Sequence, residues 1–270
     1  MHRSHLVLAA CTLALGTAAV AAPAAAAGRR ILVGAGIKAE PAYPGSNDFK
    51  PGFLPDFSVW REGEAMPAES PDEGVGPALI GRRGGTALGP ALRFAPRRSA
   101  ADLPGLPEVK FGIEAGVFAE TYLTPALRLR SELRQGIGAH RALTGELAAD
   151  LVARQGLEGP LLTIGPRIGW GSAKYNRAYF GVPAGVPAGG PAGGPAGGRA
   201  TGFAPYTPSA GINSLGAMAG AHVPLGQALG LFGYAGYSRL VGPAARSPIV
   251  AAGSRDQLSA GLALTFRFGA

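Results

Sequence analysis

Side chains able to do acid–base or nucleophilic chemistry are few in this sequence. Of its four histidines, His2 and His5 sit in the first five residues, His140 lies in "GIGAHRAL" and His222 in "AGAHVPL". A serine hydrolase needs a hydroxyl, a histidine base and a third group to orient that base. Ser131, Ser172, Ser209 and Ser214 supply hydroxyls, but none stands in a Gly-x-Ser-x-Gly turn, and neither histidine has an identifiable orienting partner. Glu114, Glu132, Glu146 and Asp150 could in principle form a glycosidase pair. They are interleaved with Arg128, Arg130 and Arg134, so they read first as ion pairs. One cysteine, Cys11, and two histidines beyond the N-terminal segment fall short of a metal-ligand cluster. These residues point to no enzyme, no metal and no cofactor.

The stretches that carry the charges alternate strictly. "LRLRSELRQ" places Leu127, Leu129 and Leu133 on one side and Arg128, Arg130, Glu132 and Arg134 on the other. "LTGELAADLVAR" sets Leu143, Leu147 and Leu151 against Thr144, Glu146, Asp150 and Arg154. "VKFGIEAGVFAE" opposes Phe111, Ile113, Ala115 and Val117 to Glu114 and Glu120. "RRILVGAGIKA" aligns Ile31, Val33, Ala35 and Ile37, and the terminal "LALTFRF" aligns Leu262, Leu264, Phe266 and Phe268. Side chains on a strand point alternately to opposite faces, so each segment offers one apolar and one polar or small face.

The N-terminus sets the compartment. "MHRSH", an alanine-rich apolar stretch to Val20 and "PAAAAG" have the layout of a secretory signal over residues 1–27, cleaved after Ala27. The segment is too weakly apolar for an anchor. "LAAC" before and at Cys11 has too short an apolar run ahead of it to serve as a lipoprotein signal. Residues 28–270 then form a single domain without a thiol. Gly at 44 and Pro at 24 discourage long helices. The net charge of +8 comes chiefly from dispersed arginines, not a basic run with aromatic partners, which argues against nucleic acid and suits anionic lipopolysaccharide. Without a membrane helix after the signal, the remaining way to cross a bilayer is a closed barrel.

Weaker candidate strands lie at 53–60, 74–83, 86–95, 160–170, 209–224 and 228–240; with the four internal stretches above and the terminal strand at 256–268 they make eleven. Counted back from the C-terminus, connections near 225–227, 156–159, 121–125 and 84–85 are short and share one side. Those near 241–255, 171–208, 96–108 and 62–73 fall on the other, and only "GIGAHR" at 136–141 is short there. Bacterial barrels show this asymmetry, with short periplasmic turns and long external loops. Eleven strands would leave the two termini on opposite sides, so a twelfth is expected between residues 40 and 75. The expectation is an all-β transmembrane antiparallel barrel of the outer-membrane type, with about twelve strands. Glu114, Arg128, Arg130, Glu132, Arg134, Glu146 and Asp150 would face its lumen. The Pro/Ala/Gly-rich 183–198 stretch would be a flexible part of the longest external loop. Trp170 suits an interfacial girdle, and "KYNRAYF" suits packing at the barrel mouth.

Several stretches resemble the MipA/OmpV family of outer-membrane proteins: "PAYPGSNDF" at 41–49, residues 89–118, "LRLRSELRQGIGAHRAL" at 127–143, "GPRIGWGSAKYNRAYFGV" at 165–182, "SRLVGPAARSPIV" at 238–250 and "LTFRF" at 264–268. The resemblance implies a scaffold in the outer membrane of a Gram-negative bacterium. Such a scaffold would link a murein transglycosylase and a penicillin-binding protein in peptidoglycan metabolism. The alternative is a small-solute channel. Two features depart from the pattern: the 183–198 insert, and Gly269 and Ala270 after the last aromatic. "SAGLALTF", with Ser259, Gly261, Leu264, Phe266 and Phe268, is similar to the C-terminal signal read by the barrel-assembly machinery. If Phe268 is the effective end of that signal, Phe268→Ala will lower insertion far more than deletion of Gly269 and Ala270. Reconstitution with assembly machinery in lipid vesicles checks this, and equal losses would refute the assignment.

Overall fold

The structure, a computed structural model, describes residues 28–184 and 202–269. The expected signal at 1–27 and nearly all of the 183–198 insert lie outside those residues. The chain forms β1 (Arg29–Pro41), β2 (Phe49–Arg61), the two-residue β3 (Ile80–Gly81), β4 (Ala87–Ala95) and β5 (Gly112–Thr124). Then follow β6 (Leu127–Ile137), β7 (Leu143–Arg154), β8 (Leu161–Gly171), helix α1 (Ala173–Phe180), β9 (Gly211–Pro224) and β10 (Leu229–Leu240). Two short helices, α2 (Gly242–Ala245) and α3 (Pro248–Ala252), precede β11 (Asp256–Phe268).

All eleven strands belong to one antiparallel sheet in the order β2-β1-β11-β10-β9-β8-β7-β6-β5-β4-β3. The first and last long strands are neighbours, with Ile37 opposite Leu262 on one side and Phe53 on the other. The sheet curls until distant strands meet across its inner face. Trp60 of β2 shares a buried cluster with Val152 of β7 and Leu161 of β8, and Leu54 of β2 packs with Phe232 of β10. Along β6 and β7 the charged even-numbered residues are enclosed while Leu133, Leu147 and Leu151 are exposed. On β11 the even positions from Leu258 to Phe266 are the outward ones. Strand phase therefore follows the alternation in the sequence, because a one-residue shift would turn every charge outward.

The connections 125–126, 155–160 and 225–228 lie at the end of the sheet where the C-terminus also emerges. Those at 42–48, 96–111, 138–142 and 241–255, with the described parts of the connection after β8 (172–184 and 202–210), lie at the other end. Two expectations need correction. The stretch after β2, expected in an outer loop, starts at the short-turn end, enters the interior and returns along β4: Val75 pairs with Leu92 and Leu79 donates to the Leu88 carbonyl. The expected twelfth strand between 40 and 75 is absent for the same reason. The missing crossing is made by irregular chain within the sheet. "EGEAMPAESPDEG" carries prolines and carboxylates that could not form a half-apolar wall strand. Its neighbours β2 and 75–81 consequently run the same way, and no antiparallel ladder joins them. The sheet stays open there.

The long connections pack into a cap. Tyr179 and Phe180 of α1 bury against Val109, Leu240, Ala244 and Val250, and Leu103 and Leu106 against Val182 and Ile249. Ser172 caps α1 by accepting the Tyr175 N–H, and the Ser247 hydroxyl donates to the Phe180 carbonyl at 2.7 Å. Buried Arg98 donates to the carbonyls of Tyr179 and Pro107 at 2.6 and 2.8 Å. Within this cap burial opposes ionisation of Asp102, but Lys50 and the Ser99 amide and hydroxyl outweigh it and hold that carboxyl below its ordinary value.

Outward side chains form an apolar surface far larger than soluble monomers carry, including Ile37, Phe53, Val117, Leu151, Leu262 and Leu264. No helix among the described residues is long and apolar enough to cross a membrane. Leu129 lies on this outward face of β6. Leu129→Arg is therefore expected to impair refolding into bilayers, since an arginine facing the middle of the hydrocarbon costs about 2–4 kcal/mol. Heat-modifiable electrophoresis after refolding measures the folded fraction, and a wild-type yield would contradict the phase.

Candidate functional site

The enclosed face concentrates nearly all of the unusual chemistry. Arg128, with no exposed side-chain surface, presents both Nη atoms to the two Glu73 carboxylate oxygens at 2.7 Å each. Its Nε reaches Glu120 at 2.9 Å and Nη1 also reaches Asp150 at 3.0 Å. A planar fork of fixed donors suits this arrangement as a lysine could not. Arg167 bridges Asp72 and Asp150, each at 2.7 Å, and donates to the Ser70 hydroxyl at 3.0 Å. Arg130 contacts Glu132 at 2.6 Å, donates to the Gly74 carbonyl at 2.8 Å and lies 4.1 Å above the Phe118 ring centre. Glu132 accepts the Gly74 N–H at 2.9 Å and contacts Arg134, which also holds Glu114 at 3.0 Å. Glu146 sits 3.3 Å from Arg93 and 3.7 Å from Arg134.

All seven charges expected from the sequence to share the inner face are brought together there. Glu114, Arg128, Arg130, Glu132, Arg134 and Asp150 are buried, and Glu146 is half-buried. The sequence reading missed the other half of the network, which comes from 69–74. Glu69, Ser70, Asp72, Glu73 and the backbone of Gly74 latch onto strands β6, β8 and, through Arg83, the turn before β4. The missed signal was a run of carboxylates at 62–73 within a basic chain whose inward strands carry surplus arginine. Gly74 fits because a Cβ there would come within 2.8 Å of the Ala91 Cβ.

Neither histidine is placed as a base beside a nucleophile. His140 Nδ1 accepts the Ala142 N–H at 3.2 Å, which puts the proton on Nε2, 3.0 Å from Glu114. Tyr175 meets the ring edge-on at 4.9 Å, and Gly136 leaves the room that a Cβ would take, 2.3 Å from the ring. His222 points inward and stacks on Phe232 at 4.3 Å. Ser131 is on the outward face of β6, Ser172 caps α1, Ser209 offers its carbonyl to Asn176 and the Ser214 hydroxyl contacts Asn213 at 3.4 Å. Trp170 continues the outward series of Leu162, Ile164 and Ile168 on β8. No group of side chains fit to hold a metal occurs among the described residues.

Of the terminal residues singled out, Leu264 and Phe266 face outward, Ser259 faces inward, and Gly261 lies where a Cβ would meet Tyr234 and Leu54. Phe268 contacts Phe266 with ring centres 4.8 Å apart. In the folded chain β11 is paired on both edges, by β1 and β10.

The family described as MltA-interacting protein MipA matches residues 33–268, from within β1 to the end of β11. The chain belongs to the MipA family. No curated protein matches it. Among solved structures, the translocator domain of the autotransporter NalP from Neisseria meningitidis is 13% identical over 90% of both chains, at a TM-score of 0.34. The outer membrane protein OprG from Pseudomonas aeruginosa is 10% identical over 90% of this chain and 97% of its own, at 0.26. Scores this low carry no weight for this chain's fold.

In this MipA-family chain, Arg128 should matter more than any one of its partners. Arg128→Met strands Glu73, Glu120 and Asp150 around an uncharged side chain, and breaking a buried pair in this way costs about 3–5 kcal/mol. Glu73→Gln leaves Arg128 two carboxylates and should cost less. Urea midpoints of the two variants in the same lipid measure the order, and a larger loss for Glu73→Gln would contradict the network as described.

Proposed function

We propose that the protein is an outer-membrane β-barrel that acts as a non-enzymatic scaffold in peptidoglycan metabolism, tethering a murein transglycosylase and a penicillin-binding protein. The observation that carries the membrane reading is the separation of faces: a predominantly apolar exterior, open at the seam beside β2, around an interior in which most charges are paired. Such a surface is stable against lipid and not against water, and strands paired in a curled sheet satisfy their own backbone groups. Pairing of β1 with β11 brings the chain ends together, as a barrel requires. The short-turn end would face the periplasm and the capped end the outside, where lipopolysaccharide lies. Residues 1–27 would be removed on export. Ser259, Gly261, Leu264, Phe266 and Phe268 would be read by the assembly machinery before β11 gains its second neighbour.

The family name supports the transglycosylase as a partner. An obstructed interior favours a scaffold over the alternative, a small-solute channel: residues 69–74 cross the bore and the cap lies over one mouth. The test pairs two measurements on protein refolded in lipid. Immobilised protein is expected to retain a murein transglycosylase from solution, and planar bilayers containing it are expected to show no steady conductance. Porin-like conductance without retention would replace the scaffold with the channel.

A further inference from the structure

The open seam of the sheet is built into the sequence. Glu62 donates its N–H to the Gly28 carbonyl, and the β1–β2 register runs without a bulge, so even-numbered residues of β2 turn their main chain toward β1. Odd-numbered ones turn toward the seam, and two of these are Pro51 and Pro55. Both lack an N–H, which suits an edge and discourages a further strand from pairing there. Across the gap, 75–81 runs parallel to β2.

Behind the seam lies a cavity of about 970 Å³, near the top of the roughly 300–1,000 Å³ range of ligand pockets. Its lining includes outward Phe53, Phe57 and Phe94, 67, 52 and 64% exposed, and enclosed Asp56, His222 and Phe232. Aromatic rings at the opening provide an apolar path, and the charge inside is uneven. Lining carboxylates Glu40, Glu69, Asp72, Glu73 and Glu146 each have a lysine or arginine partner. Asp56 has none among the described residues. Its Oδ2 is 3.7 Å from His222 Nδ1, and neither atom has a hydrogen-bond partner.

We propose that the seam between β2 and 75–81 admits a single-chain alkylammonium amphiphile sideways from the bilayer, with its chain against Phe53, Phe57 and Phe94 and its ammonium on Asp56. This rests on the reading of the chain as a membrane-embedded barrel. The cap over one mouth argues against entry from that side. An anionic head group would meet an uncompensated carboxylate, whereas an ammonium supplies the missing donors, and charge-assisted hydrogen bonds are the stronger kind.

The test uses the full chain refolded into phosphatidylcholine vesicles and two photoreactive probes, dodecylamine and dodecanoate, each carrying a diazirine on the chain carbon next to the head group. Dodecylamine is expected to label enclosed residues near Met218 and Phe232 as well as outward Leu262 and Leu264, and dodecanoate only the outward ones. Asp56→Asn should lower interior labelling by about tenfold or more while Asp56→Glu retains it, with folding of both checked by heat-modifiable migration. Interior labelling that is absent, equal for both probes, or indifferent to Asp56→Asn would overturn the proposal. Should Asp56→Asn fail to fold, the comparison of the two probes on the unmodified chain decides. Failure of both probes to reach Leu262 and Leu264 would instead sink the membrane reading, and the portal with it.

Discussion

The Arg128 fork is the contact on which the interior depends. A guanidinium without water is costly unless its donors are matched, and here three carboxylates from different parts of the chain match them. Glu120 and Asp150 come from the strands on either side of β6, so they align as soon as the sheet forms. Glu73 comes from irregular chain that has no ladder of its own. The bidentate pair is therefore what converts a loop into a filling for the sheet. Arg167 and Arg130 hold the same segment at Asp72 and Gly74, so the latch has several points and a defined register.

That inserted segment also determines the wall. Between β2 and β4, which end and begin at the same end of the sheet, an antiparallel sheet needs an even number of crossings to keep its alternation. Residues 62–74 make the first crossing inside and only 75–81 return along β4. The wall is thus short of one strand at the place where Pro51 and Pro55 leave β2 a poor hydrogen-bonding edge. Filling the interior and opening the wall are one structural decision. The scaffold proposed above would tolerate both, because it needs a rigid body more than a continuous bore. The cap built from α1, α2, α3 and the 96–111 connection closes the end of the sheet opposite the short turns.

Much of this was legible in the sequence, and for a plain reason. The side-chain period of a strand is two, so the phase of β5, β6, β7 and β11 follows once apolar residues alternate with charges. The same rule put seven charges on the enclosed side. Segments 74–83, 86–95 and 160–170 were recoverable from weaker alternation between turns. The parity mismatch was visible too, but its resolution as a twelfth wall strand was wrong. A count of crossings says that chain must return, not whether it returns in the wall or inside.

The sequence by itself determined strand phase, sheet class and which charges must avoid hydrocarbon, because those follow from local alternation and the cost of burying a bare charge. Only the tertiary structure decided the partners. Glu73 meets Arg128 across 55 residues of chain, and His222 meets Asp56 because the sheet curls β2 toward β9. An ion pair leaves no periodic trace in the residues between its ends. It is fixed by the curvature of the sheet and the path of an irregular segment, and those emerge only when the whole chain is folded.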